Sequence, residues 1–237
     1  MQFEVPLQPA LLIRRYQRFL ADVELPEGTQ MTVHVPNTGS LLGCVGPGLP
    51  VWLSDSGNPT RRYRHTWEQV QVGSARVGIN THLANRLVGE ALDEGLLPEL
   101  QGYGTRRGEV VYGGEGSRID WLLTQPGLPD CYLEVKNVTA AVEKGVALFP
   151  DAVSTRASKH LRELVGMVRA GHRAVLVFCV QRDDVEQVQP ADAIDPDYGV
   201  ALRSALAAGV EVLACGATLD EHAIRLTRRI PIHCPPG

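Results

Sequence analysis

The sequence predicts an α/β protein with two domains, a small N-terminal β-barrel and a larger layered α/β domain. Residues 1–80 contain short alternating segments separated by dense turn signals, which is typical of a small barrel. Near Asn80 the spacing of the apolar residues changes to that of an amphipathic helix. From there to residue 237 strands and helices alternate, as in a sheet covered by helices. We therefore place the domain boundary between residues 80 and 81.

Short strands account for most of the N-terminal segment. Residues 31–35 alternate between polar and apolar side chains and stop at the turn sequence 36–39. Residues 51–53 lead into a second dense turn, and residues 62–67 and 70–72 continue the strand pattern. Several short strands with such turns predict a barrel of the oligonucleotide-binding (OB) type.

Helices and buried strands alternate in the C-terminal segment. The predicted elements are helices at 83–92, 155–170 and 198–208 and core strands at 174–180 and 210–214. Gly95 and Gly171 end the first two helices. Two further strands carry Asp120 and Glu134. This order predicts a layered α/β domain.

The bulk composition excludes several classes of protein. With 237 residues and 44% hydrophobic content the chain is globular, and no run is long and apolar enough to span a membrane. The first residues lack the basic and then apolar order of a signal peptide. Five cysteines without a CxxC pair disfavour a zinc or disulfide framework. We expect a soluble, cytoplasmic protein whose net charge of −4 confines any nucleic-acid surface to a local patch.

Asp120 and the segment Glu134-Val135-Lys136 form the main candidate site. Side chains alternate faces along a strand, so Glu134 and Lys136 share one face, and Asp120 on the preceding strand can lie opposite. The two carboxylates and the Val135 carbonyl would hold a divalent metal, Mg²⁺ or Mn²⁺. Lys136 is one of three lysines beside twenty arginines, and its side chain would orient a water as an ammonium or deprotonate a water as a neutral amine. The alternative is an ordinary Glu–Lys pair on a solvated sheet face.

Two other acids lie near this site in the sequence. Asp130 precedes Glu134 by four residues on the same strand, about 13 Å away at strand rise, so the two cannot share an ion. Glu90 falls within about 20° of Leu83 around its helix, at the edge of the apolar stripe. From there it could reach into a cleft and hold a water or a second ion. The alternative for Glu90 is a solvent-facing helical position.

Arginine-rich segments predict a nucleic-acid surface. Arginines neutralise phosphates and aromatic rings stack on bases, and both residue types are interleaved at 14–19 and 61–65. On the second predicted helix, Arg156 and His160 are four positions apart and lie on one flank, so they could bind a phosphate together. The candidate DNA-binding residues are Arg14, Arg15, Arg18, Arg61, Arg62, Arg64, Arg156 and His160. The alternatives are a barrel strand with alternating polar and core positions, and solvated side chains on a helix flank.

Several longer strings resemble the sugar fermentation stimulation protein (SfsA) family. They include residues 34–40, 132–139, 149–153 and 159–164, and the resemblance runs from the N-terminus to about Ile230. The resemblance implies an OB-like N-terminal domain and a C-terminal α/β domain of the PD-(D/E)xK nuclease fold with a mixed central sheet. It also implies DNA binding and a regulatory role in sugar metabolism, especially that of maltose.

The resemblance also assigns roles to the candidate residues. Asp120, Glu134 and Lys136 would be the nuclease triad, and Glu90 the helix acid that precedes it. Ile119 stands where the proline that gives the motif its name is expected. This replacement is tolerated because a metal needs the carboxylate and not the proline.

Two functions are therefore compared. The first is a DNA-binding protein with a Mg²⁺-dependent phosphodiesterase (nuclease) site. The second is a non-catalytic, largely sequence-nonspecific DNA-binding regulator of sugar metabolism. A third hypothesis, a barrel that binds carbohydrate, fits the arginine content less well. DNA is the expected partner, no membrane or obligate protein partner is inferred, and a homodimer is left open.

Overall fold

The computed structural model describes residues 1–235, apart from the side chain of Val142. The strands are β1 (Gln8–Tyr16), β2 (Leu20–Glu24), β3 (Gln30–His34), β4 (Pro50–Asp55), β5 (His65–Val72), β6 (Ala75–Gly78), β7 (Thr105–Tyr112), β8 (Ser117–Thr124), β9 (Cys131–Val138), β10 (Ala140–Glu143), β11 (Gly145–Phe149), β12 (Arg173–Val180), β13 (Val185–Pro190), β14 (Glu211–Leu219) and β15 (Ile224–Arg229). The helices are α1 (Ala84–Asp93), α2 (Thr155–Arg169) and α3 (Pro196–Ala207), with 3₁₀ turns at Thr81–Leu83 and Pro98–Leu100. None of the helices in residues 1–235 combines the length and apolar composition needed to cross a membrane.

The first five strands close into a barrel. β1 pairs antiparallel with β2 and β4, β2 pairs with β3, and β4 pairs with β5. The parallel pairing of His34 in β3 with Thr66 in β5 closes the ring. Val33, Leu53 and Trp67 are almost fully buried in its core. The predicted OB-like barrel is thereby confirmed.

The second domain contains a mixed six-stranded sheet in the order β15-β14-β12-β9-β8-β7. β9, β12 and β14 are parallel, whereas β7, β8 and β15 are antiparallel to their neighbours. α1 covers one face, where Leu87 and Leu133 belong to one core cluster. α2 and α3 cover the other face, where Leu161, Phe178 and Leu202 belong to a second cluster. The predicted α/β domain with a mixed central sheet is also confirmed.

The N-terminal ends of α2 and α3 are set by side-chain caps. α2 follows Ser154, whose Oγ accepts a hydrogen bond from the Ala157 N–H at 3.2 Å. α3 begins at Pro196, two residues before the predicted start at 198. The Asp195 carboxylate caps it by accepting from the Tyr198 N–H at 3.0 Å. The apolar pattern alone does not reveal this extra half-turn, because Pro196 and its neighbour are not part of the buried stripe.

Some elements differ from the sequence prediction. A small sheet of order β10-β11-β13 lies beside the main sheet and was not predicted, and β7 was not predicted either. β7 is largely exposed, so it lacks the apolar alternation that identifies a half-buried strand. The predicted strand at 62–67 begins only at His65, and residues 61–63 form a bend. Arg64, between this bend and β5, pairs with Asp55 at the end of β4.

A loop of the barrel, residues 36–41, is attached to Asp151 of the second domain. The Ser40 Oγ donates to the Asp151 carbonyl at 2.6 Å, and the Leu41 N–H donates to its carboxylate at 3.0 Å. A Cβ atom on Gly39 would lie only 2.6 Å from the same carboxylate, so a larger residue would push the loop away. The loop and Asp151 therefore hold the two domains in close contact.

A second contact between the domains lies where β12 ends. The buried Gln181 side chain donates to the Asn80 carbonyl at 3.0 Å and to the Asn137 side chain at 2.6 Å. The next residue, Arg182, is also buried and donates to the Thr139 carbonyl at 2.7 Å. These bonds satisfy backbone and side-chain groups that would otherwise be buried without partners.

Candidate metal centre and nucleic-acid interface

A cavity of about 860 Å³ lies between the two domains. Residues at the start of α1 and of α2 form part of its wall. The candidate side chains that line it are Arg15 and Arg18 from the barrel and Asp120, Glu134, Lys136 and Arg156 from the second domain. Strand geometry predicted that Asp120, Glu134 and Lys136 share a site, and all three line this cavity.

Asp120 lies where the pairing of β8 with β9 stops. The last pair of the ladder is Trp121 with Leu133, so Asp120 is the first residue beyond it. Its Oδ2 accepts from the Val135 N–H at 2.7 Å, in place of a backbone partner, and its Oδ1 accepts from the Asn85 amide at 2.8 Å. Burial, and then the negative charge of Glu134, raise the pKa of Asp120 above its usual range.

Glu134 is almost completely buried, with 3% of its side chain exposed. Its Oε1 accepts from the Lys136 ammonium at 2.6 Å and also contacts the His160 Nδ1. Its Oε2 is buried without a hydrogen-bond partner among the described residues. Burial would raise the pKa of Glu134, but the hydrogen bond from His160 and the charge of Lys136 outweigh it and lower the pKa.

These groups fit a hard divalent cation. Asp120 and Glu134 supply carboxylate oxygens, and the Oε2 of Glu134 is an acceptor without a donor among residues 1–235. The N–H and the C=O of a strand residue point to the same side, so the Val135 carbonyl faces the gap that its N–H shares with Asp120. Within residues 1–235 no group of three or more His, Cys, Asp or Glu side chains is placed to hold a metal. Mg²⁺ needs only one or two carboxylates when water and phosphate complete its shell.

The structure does not bring Glu90 to this cavity. Its carboxylate pairs with the Met1 amino group at 2.5 Å and with Arg86 at 3.1 Å. Burial acts to raise the pKa of Glu90, but these two cations outweigh burial and lower it. Asn85, earlier on the same helix, lines the cavity and contacts Asp120 instead. The prediction that Glu90 holds a water or a second ion at the metal site is therefore wrong. Helix phase gives the direction of the Glu90 side chain, but it does not reveal that the Met1 amino group packs against it.

Arg14, Arg15 and Arg64, which were predicted to bind DNA, pair with acids or with several carbonyl groups of the protein. Arg14 pairs with Asp22 at 2.8 Å, and Arg64 pairs with Asp55 at 2.6 Å. Arg15 donates to three carbonyl groups of the loop 36–41 at distances of 2.8, 2.9 and 3.1 Å. Arg15 therefore shapes the cavity wall, and its guanidinium has less capacity left for a phosphate than the sequence suggested.

The other predicted residues divide between the barrel surface and the cavity. Arg61 and Arg62 are exposed on the barrel, and Arg18 and Arg156 line the cavity. His160 is buried and contacts Glu134, so it differs from the predicted surface contact to DNA. Its helix phase was correct, but packing of α2 on the sheet turns that position toward the protein interior.

Sequence reasoning missed several polar residues of this region. Asn85 in the first turn of α1 and His82 in the preceding 3₁₀ turn line the cavity, and Asp151 holds the barrel loop. The signal for Asn85 was a polar side chain in the first turn of α1, the end of the helix that lines the cavity. No comparable signal marked Asp151, because its partners lie more than a hundred residues away in the chain.

Comparisons with known proteins agree across the chain. The family model described as the SfsA N-terminal OB domain matches residues 13–79, and the model described as the sugar fermentation stimulation protein RE domain matches residues 82–223. A solved structure described as Pyrococcus furiosus SfsA in complex with Ca²⁺ matches with a TM-score of 0.87 at 27% identity, covering 98% of each chain.

Curated relatives extend the same similarity to nearly the full length. The sugar fermentation stimulation protein homologs of Thioalkalivibrio sulfidiphilus and Halorhodospira halophila are 59% and 56% identical to this chain. Each alignment covers 98% of both sequences. Because both domains match family models and the relatives are more than half identical over almost the whole length, this chain belongs to the sugar fermentation stimulation protein (SfsA) family.

Proposed function

We propose that this protein binds DNA and cleaves it at a Mg²⁺- or Mn²⁺-dependent phosphodiesterase site. The observation that carries the proposal is the single cavity in which Asp120, Glu134 and Lys136 meet cationic side chains of the barrel. Carboxylates beside an ammonium suit phosphodiester hydrolysis, and arginines suit the phosphate backbone. The related Pyrococcus furiosus protein was solved in complex with Ca²⁺, which also supports a divalent cation in this chain.

Each residue has a defined role in this proposal. Asp120, Glu134 and the Val135 carbonyl would hold the cation, which when bound would polarise a phosphoryl oxygen as a Lewis acid. The Lys136 ammonium, which donates to the Glu134 carboxylate at 2.6 Å, orients the attacking water, and in its neutral amine form Lys136 would take the proton of that water at Nζ. Arg18 and Arg156 bind the flanking phosphates. The Asn85 amide holds the Asp120 carboxylate in place at 2.8 Å.

A route for DNA from the barrel to the cavity supports the same proposal. The Arg61 guanidinium lies 3.5 Å from the His34 ring. Burial, and then the nearby charges of Arg61 and His82, lower the pKa of His34. His82 lines the cavity. We infer that a DNA strand bound at Arg61 passes His34 and His82 on its way into the cavity that Asp120 lines.

Cleavage is the direct test of the proposal. Replacing Lys136 with Gln is expected to slow cleavage by about 10²–10⁴-fold, because the group that moves the proton is lost. Nicking of a supercoiled plasmid and shortening of linear DNA, in Mg²⁺ or Mn²⁺ with EDTA as the blank, would measure the rate. Lys159→Gln is the matched control, since the Lys159 ammonium donates to the Glu115 carbonyl at 2.8 Å and does not line the cavity. Absence of cleavage by the wild type, or equal cleavage rates for wild type and Lys136→Gln, would contradict the proposed nuclease activity.

DNA binding is tested separately at the barrel surface. Replacing both Arg61 and Arg62 with Ala should weaken binding to all sequences alike and reduce the slope of log affinity against log salt by about 0.9 per lost phosphate contact. Fluorescence anisotropy with labelled DNA at several salt concentrations would give both quantities. Arg225→Ala, an exposed arginine on β15, is the control. If the salt slope of the double variant equals that of the wild type, DNA does not bind at Arg61 and Arg62.

A second candidate function is a non-catalytic, sequence-nonspecific DNA-binding regulator of sugar metabolism. It is favoured by the position of Glu90, which pairs with Met1 and Arg86 and so adds no third carboxylate to Asp120 and Glu134. This function predicts salt-dependent binding that is sensitive to Arg61 and Arg62, with no turnover in either metal ion. Metal-dependent cleavage that is lost in Lys136→Gln would exclude it.

A further inference from the structure

We propose that His160 is a positioning residue that donates its Nδ1–H to the Oε1 of Glu134 and leaves the Oε2 of Glu134 for a divalent cation. The inference rests on the proposed metal site and goes beyond it, because His160 was expected only to contact DNA. His160 is 4% exposed, so it cannot act as a surface contact, and its ring lies against Glu134.

The neighbours of His160 determine which ring nitrogen carries the proton. The Arg156 Nε donates to the His160 Nε2 at 3.4 Å. A guanidinium has only donors, so the Nε2 must be the unprotonated acceptor. In a neutral imidazole the proton then lies on Nδ1, which faces Glu134. Arg156 thus selects the tautomer in which His160 can donate to the carboxylate.

The donors around Glu134 are unevenly distributed between its two oxygens. Lys136 and His160 both contact Oε1, which uses the two lone pairs of that atom. The Lys136 ammonium also lies 3.1 Å from the His160 Nδ1, but both groups are donors in this tautomer, so they meet only through the shared oxygen. Oε2 is left as a buried acceptor without a donor in the described part of the chain. A buried carboxylate oxygen of this kind is costly unless a cation compensates it.

The start of α2 holds this arrangement rigidly. Arg156 and His160 are i and i+4 on the helix and therefore lie on one face. Ser154 caps the helix, and its own N–H donates to the Asp195 carboxylate at 2.8 Å. The first turns of α2 are thus held by the Ser154 cap at the start of the helix and by the contact of His160 with Glu134 one turn later. A preorganised partner of a metal ligand typically contributes tenfold to a hundredfold in metal affinity.

Two substitutions distinguish this role from simple packing. His160→Asn keeps an N–H donor at about the position of the imidazole Nδ1, whereas His160→Leu fills the space without a donor. Isothermal titration with Mg²⁺, Mn²⁺ and Ca²⁺ should show His160→Leu to bind at least about tenfold more weakly than wild type, and His160→Asn to stay within about threefold. Circular dichroism and the metal-free melting temperature of each variant report whether the fold is intact.

A measurement on the wild type keeps the inference testable even if a variant fails to fold. In ¹⁵N-labelled protein the His160 ring should show a protonated Nδ1 and an unprotonated Nε2. A protonated Nε2 in the neutral ring, equal affinities of wild type and His160→Leu, or equal losses in His160→Asn and His160→Leu would each overturn the inference. Those outcomes leave the metal site itself standing. Failure of the wild type to bind any of the three ions would instead overturn the proposed metal-dependent function and this inference together.

Discussion

Replacing Asp120 with Asn is expected to reduce Mg²⁺-dependent DNA cleavage by about a thousandfold, which corresponds to roughly 4 kcal/mol of lost transition-state stabilisation. The substitution removes a negative charge from the cation site and keeps the size of the side chain. It can also keep both hydrogen bonds, because an amide oxygen can accept from the Val135 N–H and a flipped Asn85 amide can accept from the new NH₂ group. The loss would therefore report the missing charge rather than a disturbed fold.

The same variant should be more stable than the wild type in the absence of metal. Burial and the charge of Glu134 raise the pKa of Asp120, so its ionisation costs folding free energy. This cost is absent below the usual carboxyl pKa of about 3.9 and is complete once the pH exceeds the raised pKa in the folded state. The melting temperature of Asp120→Asn should thus exceed that of the wild type at neutral pH, and the difference should vanish as the pH falls below about 4.

Added Mg²⁺ should reverse that order. A ligand that binds only the folded state at a hundred times its Kd adds about 2.7 kcal/mol, or several degrees in a protein of this size. We expect this shift in the wild type and not in Asp120→Asn. Asp130→Asn is the matched control, because Asp130 is close in sequence and does not line the cavity. Equal cleavage and equal Mg²⁺ shifts in wild type and Asp120→Asn would remove Asp120 from the site.

The largest effect on stability is expected for Arg182→Ala, at about 2–3 kcal/mol of unfolding free energy. The Arg182 side chain is 3% exposed and makes two hydrogen bonds to Asp184, at 2.9 and 2.8 Å. It also donates to the Thr139 carbonyl and contacts the Cys44 Sγ of the barrel at 3.8 Å. Its removal leaves the buried Thr139 carbonyl without this donor where the two domains meet, whereas the exposed Asp184 carboxylate can turn to water.

Urea unfolding of Arg182→Ala and Arg64→Ala would test this expectation. Arg64 has a similar two-point contact with Asp55, at 2.6 Å on each side, but it lies exposed on the barrel. Because water screens an exposed pair and satisfies its partner after truncation, Arg64→Ala should cost less than about 1 kcal/mol. Similar losses for the two variants would mean that burial of Arg182 contributes little.

The placement of Asp120 and Glu134 could be predicted from the sequence because it depends on local rules. Alternation along a strand and the spacing of neighbouring strands are short-range properties, and they favoured Asp120, which lines the cavity, over Asp130, which does not. The same local rules were incomplete for His160 and Glu90. Helix phase gives the direction of a side chain, but the group that it meets comes from a distant part of the chain, such as Met1 for Glu90.

The exposed parts of the fold were harder to predict for a different reason. β7 has little apolar alternation, so the sequence did not predict a strand there. Glu109 within β7 has a φ of +56°, and no sequence pattern predicts this conformation. The arginines at 14–18 and 61–64 were all plausible phosphate ligands, yet their roles depend on which acids lie opposite. Asp22 and Asp55 neutralise two of them, and this pairing is a property of the folded barrel.

The attachment of the barrel loop to Asp151 has a consequence for exchanging parts between relatives. The Gly39 backbone, the Ser40 hydroxyl and the Asp151 carboxylate form one interlocking unit that is encoded in two distant stretches of the chain. A hybrid protein that joins the barrel of one homologue to the second domain of another must therefore transplant both stretches together. The exchange point of such a hybrid therefore depends on keeping residues 39–40 and Asp151 from the same parent, and not only on the domain boundary after residue 80.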